Sequence, residues 1–416
     1  MATAPTRGLP AERERTHREA ARALMDAGAD ADLVACHLLE CGPHADPEVS
    51  AHLVRAASAA AQRGAPHAAA AYLDRALEER APSDDRGQML AQLATVAFDA
   101  GLPDSRRRLR EALREIRDRG SRIDVLTRLA ALNVIDAGDA GLAQVVDQEL
   151  VAERDPHARL AVETVALDTL MMIPGRHAER ARRVAAVDLA GTTDPLLVRV
   201  VLAHRAWVGT ELGRPGADAC AELALAALDG DLLLAEAWRR PAHHLCARVL
   251  VMTDHHEAAA RAIGALRDDA MTRGSLPLRA AAAWYAAELA LRTGRVTDAE
   301  AHARLALDIV GGELNLITGG AVEVLVCALV ERGALQEARE LLAERGLDGA
   351  LGPAEPGVDG VALDRRAGAR APRPPRRGRR AGRCRAGARR ALRGPRADRR
   401  RAARPRGRAE LAPTVP

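Results

Sequence analysis

Eight glycines, Gly28, Gly64, Gly101, Gly138, Gly175, Gly213, Gly294 and Gly333, recur at near-constant spacing, and Asp254 stands where a ninth would complete the series. The gaps between successive members are 36, 37, 37, 37, 38, 41, 40 and 39 residues. A period of this size, held from residue 28 to residue 333, predicts a repeat architecture. Each unit then lacks the means to bury its own apolar face and must stack on its neighbours.

The surroundings of the glycines say what the unit is. Ala69, Leu73 and Ala76 follow Gly64 at offsets of five, nine and twelve, and Ala299, Ala303 and Ala306 follow Gly294 in the same way. Ala259 and Ile263 repeat the pattern after Asp254, and Ala338 begins it after Gly333. Steps of four and three keep such residues on one helix face, so each unit reads as helix, tight turn, second helix. Glycine suits the turn because it enters left-handed backbone space without steric cost. The small residue five places on lets two helix axes approach to about 8–9 Å. Register is looser at Gly101, Gly175 and Gly213, where the alanines are Ala112, Ala181 and Ala219. Strand signals are missing, and the expected fold is all-α up to about residue 350: an α-α superhelix, or solenoid, of about eight helical hairpins.

Composition narrows the chemistry. All 61 basic residues are arginine, so a P-loop or Schiff-base mechanism lacks its central lysine. Gly311-Gly312 and Gly319-Gly320 have no preceding strand and read as helix interruptions. Residues 1–364 carry 41 arginines against 55 acids, a net charge of −14, whereas residues 365–416 carry 20 arginines against Asp398 and Glu410, a net charge of +18. An acidic repeat body is a poor nucleic-acid binder, and no direct nucleic-acid contact is expected of it. There is no long uncharged apolar run and no signal-peptide-like start, which leads to a cytoplasmic chain with no membrane partner. Cys36, Cys41, Cys220, Cys246, Cys327 and Cys384 form no CxxC pair and read as reduced and buried.

The end of the chain is a different kind of sequence. From Arg365 onward, 45 of 52 residues are arginine, alanine, glycine or proline. Such a segment lacks the apolar surface to fold, so 351–416 is expected to be a disordered tail. Its composition matches a GC-rich gene read out of frame, and a frameshifted end is the leading reading of 365–416. The competing one is a basic arm that binds nucleic acid non-specifically through phosphates.

Individual clusters give little chemistry. Cys36, His37, Cys41 and His44 are zinc-ligand types, but their spacing is not finger-like and the stretch reads as an amphipathic helix. His243-His244 and His255-His256 bracket a helix starting near Pro241, and adjacent histidines point about 100° apart, so each pair reads as helix-end solvation. No catalytic, cofactor or metal residue is assigned.

The aromatics are more informative, being few: Phe98, Tyr72, Tyr285, Trp207, Trp238 and Trp284. Trp207, Trp284 and Tyr285 lie six to ten residues before a turn position, hence in the first helix of their units, the helix that lines the concave side of such a superhelix. With Trp238, Arg239, Arg240 and His243 they are a candidate concave patch that stacks a flat ligand and pairs an anionic group. The alternative is that the tryptophans simply fill gaps between stacked hairpins.

The glycine-centred units resemble the tetratricopeptide family, whose unit is shorter, about 34 residues. In addition, VACHLLE at 34–40, DPEVSAHLVRAA at 46–57 and RGAPHAAAAYLDRALE at 63–78 resemble a stretch of the large ATP-binding, MalT-like class of LuxR-type regulators. The resemblance spans about 12–350. It implies that 1–45 is similar to the end of a STAND ATPase module and that 46–350 is a helical-repeat sensor. It also implies a protein or small-molecule inducer at the concave face and no enzymatic activity. Walker lysine and helix-turn-helix are both missing, so the expectation is a truncated regulator. A free-standing scaffold for a partner peptide or helix is the alternative, and an enzyme on an α/α barrel would need a closed ring, a pair of inward carboxylates and aromatic platforms, for which six aromatics are few.

Overall fold

The computed structural model describes residues 10–79, 83–135, 140–310 and 315–347, and these are helical throughout, joined by turns, with no strand among them. Helices pair in sequence: α1 (Pro10–Asp26) with α2 (Ala31–Leu39), α3 (Pro47–Gln62) with α4 (Pro66–Glu78), and α5 (Ser83–Asp99) with α6 (Ser105–Glu115). Next come α7 (Arg119–Ile135) with α8 (Ala140–Ala152), α9 (Pro156–Leu170) with α10 (His177–Ala186), and α11 (Pro195–Leu212) with α12 (Ala217–Leu228). A short α13 (Leu232–Ala235) precedes α14 (Ala242–Met252) with α15 (His256–Arg273), α16 (Leu276–Arg292) with α17 (Val296–Val310), and α18 (Leu316–Glu331) with α19 (Leu335–Glu344). Most helices pack chiefly on their neighbours in sequence, while α7 packs foremost on α9 and α14 on α11 and α12. The described residues thus hold nine helix pairs against the expected eight or so, one for each of the nine positions in the glycine and Asp254 series.

The glycine series marks the turns. Gly28, Gly64, Gly101, Gly175, Gly213, Gly294 and Gly333 all have φ between 65° and 79°, and Asp254 takes φ 65° in the same role. At seven of these turns the following residue donates its N–H to the carbonyl five residues back, as in Leu102 to Ala97 (2.8 Å), His255 to Leu250 (2.9 Å) and Arg295 to Ala290 (2.9 Å). This is the Schellman closure, which satisfies the free carbonyls of the first helix while reversing the chain. First helices are restarted by aspartate: Asp46, Asp155 and Asp194 each cap a helix whose next residue is proline. Gly138, Gly311, Gly312, Cys384 and the whole of 351–416 lie outside the described residues.

The small-residue face is buried as the spacing requires. Ala69, Ala259, Ala299, Ala303 and Ala306 are fully enclosed, and Ala338 nearly so. After Gly101 and Gly213 the second helix starts four residues on, not two, which shifts burial to Leu109 and Ala112 and to Cys220, Ala221 and Ala224. Ala219 is accordingly only half-buried. After Gly175 the fifth place holds Arg180, which is completely buried and ion-paired to Glu211.

Gly319 and Gly320 do not interrupt a helix; both lie inside α18, which Asn315 and Thr318 open with a reciprocal capping box. A Cβ on Gly320 would lie 2.1 Å from Trp284 Cε2, so the missing side chain is what lets the indole rest on the helix backbone.

The array also returns on itself. The turn at Gly64 abuts the end of α15, where a Cβ on Gly64 would sit 2.5 Å from the Thr272 carbonyl oxygen. Nearby, Asp99 at the end of α5 is buried with Ser275 and Arg273 around it, and burial pushes its carboxyl up to about 6. No described helix is long and apolar enough to cross a membrane.

Candidate functional site

The curl borders a half-open cavity of about 1030 Å³. Its wall is contributed mainly by the first helices of successive pairs, α5, α7, α11, α14, α16 and α18, with α10 and the segments after α9 and α13. Five of the chain's six aromatic residues, Phe98, Trp207, Trp238, Trp284 and Tyr285, reach this one space. Tyr72 is the exception and packs among the alanines and leucines of α2, α3 and α4.

The aromatic wall is ordered by close ring contacts. Trp284 and Tyr285 lie with centroids 4.8 Å apart and planes tilted by 40°, and Tyr285 meets the His244 ring at 5.7 Å. The Arg248 guanidinium lies over two indoles, 5.3 Å from Trp207 and 4.8 Å from Trp284, and its Nε donates to Glu288 at 3.2 Å. Trp207 Nε1 donates to Glu211 at 2.9 Å, and Glu211 in turn holds Arg180. Trp238 is flanked by Arg128, Arg239 and Arg273 at 5.0, 5.6 and 5.8 Å.

Behind the wall runs a buried polar network. Asp168 accepts from the Arg240 guanidinium at 3.4 Å and contacts His204 Nε2 at 2.8 Å. Arg240 also donates to Thr164 at 3.1 Å and Thr127 at 3.4 Å, so one side chain ties α7 and α9 to the entry of α14. Burial works against the charge on Arg240 and the adjacent carboxylate supports it.

The seven residues proposed from sequence therefore separate. Trp207, Trp238, Arg240, Trp284 and Tyr285 line the cavity; Arg239 and His243 do not. Arg239 is ion-paired to Asp124 and Glu236, and His243 turns away to the Ala262 carbonyl at 3.0 Å. Neither Arg239 nor Arg240 has its charge free for a ligand. The reading of His243-His244 as helix-end solvation is also overturned. His243 is buried, His244 faces the cavity and bonds the Ala237 carbonyl at 3.0 Å, and burial pulls the His244 imidazole down to about 4. His255 and His256 do sit at a helix start, beside Thr253 and Asp254.

Sequence reasoning missed Arg248, Glu211 and Phe98. Glu211 had a signal, since it follows Trp207 by one helical turn; Arg248 likewise follows His244 by four.

The cysteine-histidine stretch does not converge on a point. Cys36 is exposed, and the buried Cys41 directs its thiol to the carbonyls of Glu14 and His37. His44 faces Glu14, and His37 meets His17 at 3.0 Å. Among the described residues no group of three or more such side chains has metal-binding proximity.

No protein-family model matches the chain, and a search of curated proteins finds no match.

Proposed function

We propose that the helix pairs form a tetratricopeptide-like solenoid whose concave cavity receives a small, flat, largely apolar molecule, and that this receptor is the sensor region of a LuxR-type regulator. The observation that carries the receptor reading is the convergence of five of six aromatics on a single cavity of about 1030 Å³. That volume is at the upper end of small-molecule sites, and mixed aromatic and aliphatic lining with few polar groups is their usual character. The charged groups on the wall, Glu211, Arg240 and Arg248, are paired with Arg180, Asp168 and Glu288 behind it, which suits binding and orientation more than proton transfer. The regulator half of the proposal rests on the likeness of 34–78 to LuxR-type proteins.

The receptor is tested with N-phenyl-1-naphthylamine, an uncharged fluorophore of suitable shape, added to the full chain while tryptophan is excited. All three tryptophans line the cavity, so energy transfer to the probe reports occupancy there. Saturable transfer that weakens roughly tenfold or more in Trp207→Leu/Trp284→Leu is expected, two aromatic contacts being lost. Absence of transfer, or transfer indifferent to the substitutions, contradicts the reading. The regulator assignment is tested at the locus: a LuxR-type helix-turn-helix encoded in another frame beyond codon 352 supports it, and helix-free translations in all frames oppose it.

A further inference from the structure

The seam where the array returns on itself is a meeting of two turns. Gly64, between α3 and α4, and Gly274, between α15 and α16, both take left-handed backbone, and a Cβ on Gly274 would lie 2.3 Å from the Gly64 carbonyl oxygen. Glycine at both places is what lets the early and late helices come this close. Beside them, a Cβ on Gly101 would rest 3.4 Å from the Leu276 side chain at the start of α16. Backbone thus packs on backbone, and an ionisable group inside the seam has little to solvate it.

Asp99 is such a group. It ends α5, is only 8 % exposed, and its Oδ1 has no hydrogen-bond partner. Ser275, at the start of α16, lies beside it completely buried, and its Oγ also lacks a well-aligned partner. Burial opposes the charge on Asp99 most strongly, the Ser275 hydroxyl and Arg273 favour it, and Asp269 opposes it. Arg273 and Asp269 both come from α15 and are ion-paired to each other at 2.8 Å, which blunts the help that Arg273 can give. No charged group on another described element acts on the carboxyl.

We infer that Asp99 is an acid-operated latch on the curl: as a neutral acid it packs inside the seam and lets the Gly64 and Gly274 turns meet, and as a carboxylate it takes up water and draws them apart. The inference rests on the fold alone and not on what the cavity receives. An ionised carboxyl shut in the seam forgoes its hydration with one hydroxyl to replace it, whereas the neutral acid forgoes little. With the seam shut the carboxyl holds its proton up to about 6, and once hydrated it returns to its ordinary value of 3.8. Closure is therefore favoured as pH falls through 6, and the ratio of shut to open seams rises roughly tenfold from pH 8 to pH 5. Phe98 and Pro277, one and two residues from Asp99 and Ser275, line the aromatic cavity, so the latch acts on its wall.

Spin labels at Ser58→Cys on α3 and Met271→Cys on α15, both exposed positions, follow the seam by pulsed dipolar spectroscopy of the full chain with Cys36 and Cys384 replaced by serine. One short distance is expected at pH 5. At pH 8 a longer population should gain on it roughly tenfold, with the change centred near 6. Asp99→Asn, neutral at every pH and of the same shape, should keep the short distance at both. Asp269→Asn, which releases Arg273 to support the carboxylate, should move the centre of the change to lower pH. A distribution that ignores pH, a response that persists in Asp99→Asn, or a centre that Asp269→Asn leaves in place overturns the latch.

Discussion

The first two helix pairs, α1–α4, and the later array, α7–α18, share one frame and differ in their interior. Both turn at left-handed residues and both bury alanine on the second helix. In the first region the buried ions stitch a local crossing: Arg75 donates to Glu79 at 2.6 Å and to the Gly42 carbonyl at 2.8 Å, while Glu79 accepts from the His44 and Asp46 N–H groups. In the second, Asp168 gathers His204 and Arg240, and Arg240 reaches back to Thr127. A hairpin frame thus fixes the stacking, and long-range polar links decide whether the stack curls around a space.

Substitution should separate these roles. Asp168→Ala leaves Arg240 and His204 buried without their carboxylate and is expected to cost about 3–5 kcal/mol, read as a shift in the urea midpoint. It should also weaken neutral-probe binding, because Arg240 is part of the wall. Glu79→Ala strips a buried partner from Arg75 and should destabilise the chain while leaving probe affinity unchanged. Equal effects of the two on binding would erase the distinction.

Glycines sharpen the same contrast at smaller cost. Gly294→Ala adds a methyl in open space and meets only the left-handed backbone, a penalty of about 1 kcal/mol. Gly320→Ala pushes against the Trp284 indole and should cost about 1–3 kcal/mol, with a change in tryptophan emission that Gly294→Ala lacks.

Acid response gives the finest test. Asp99 titrates near 6 in the fold against 3.8 as its ordinary value, so the fold holds that proton better and gains stability as pH falls through 6. His244 titrates near 4 against 6.5, so the unfolded chain takes that proton first and stability is lost as pH falls from 6.5 toward 4. The two oppose each other over one window. Asp99→Asn should steepen the loss of stability between pH 6.5 and 4, and His244→Gln should flatten or reverse it, followed by urea midpoints across that range.

How much of this was legible in the sequence follows from which forces are local. The turns were legible because a left-handed residue is demanded by backbone geometry, and even Asp254 kept its place in the period. The enclosed alanines were legible because helix spacing alone puts them on one face. Arg239 and Arg240 were misjudged because their partners, Asp124 and Asp168, lie 115 and 72 residues away in sequence. Gly320 looked like a helix breaker for the same reason: its meaning depends on Trp284 from the preceding pair. The scarcity of aromatics drew attention to the tryptophans, but their convergence with Phe98 depends on the curl, which no periodicity encodes.

That curl can be measured. Spin labels at His67→Cys and Met271→Cys, both exposed and placed on either side of the Gly64–Thr272 contact, would be read by pulsed dipolar spectroscopy with Cys36 and Cys384 replaced by serine. A chain that winds back to border the aromatic cavity gives one narrow distribution at short distance. A long or broad distribution would mean that the array runs on without returning, and the cavity and its ligand would go with it.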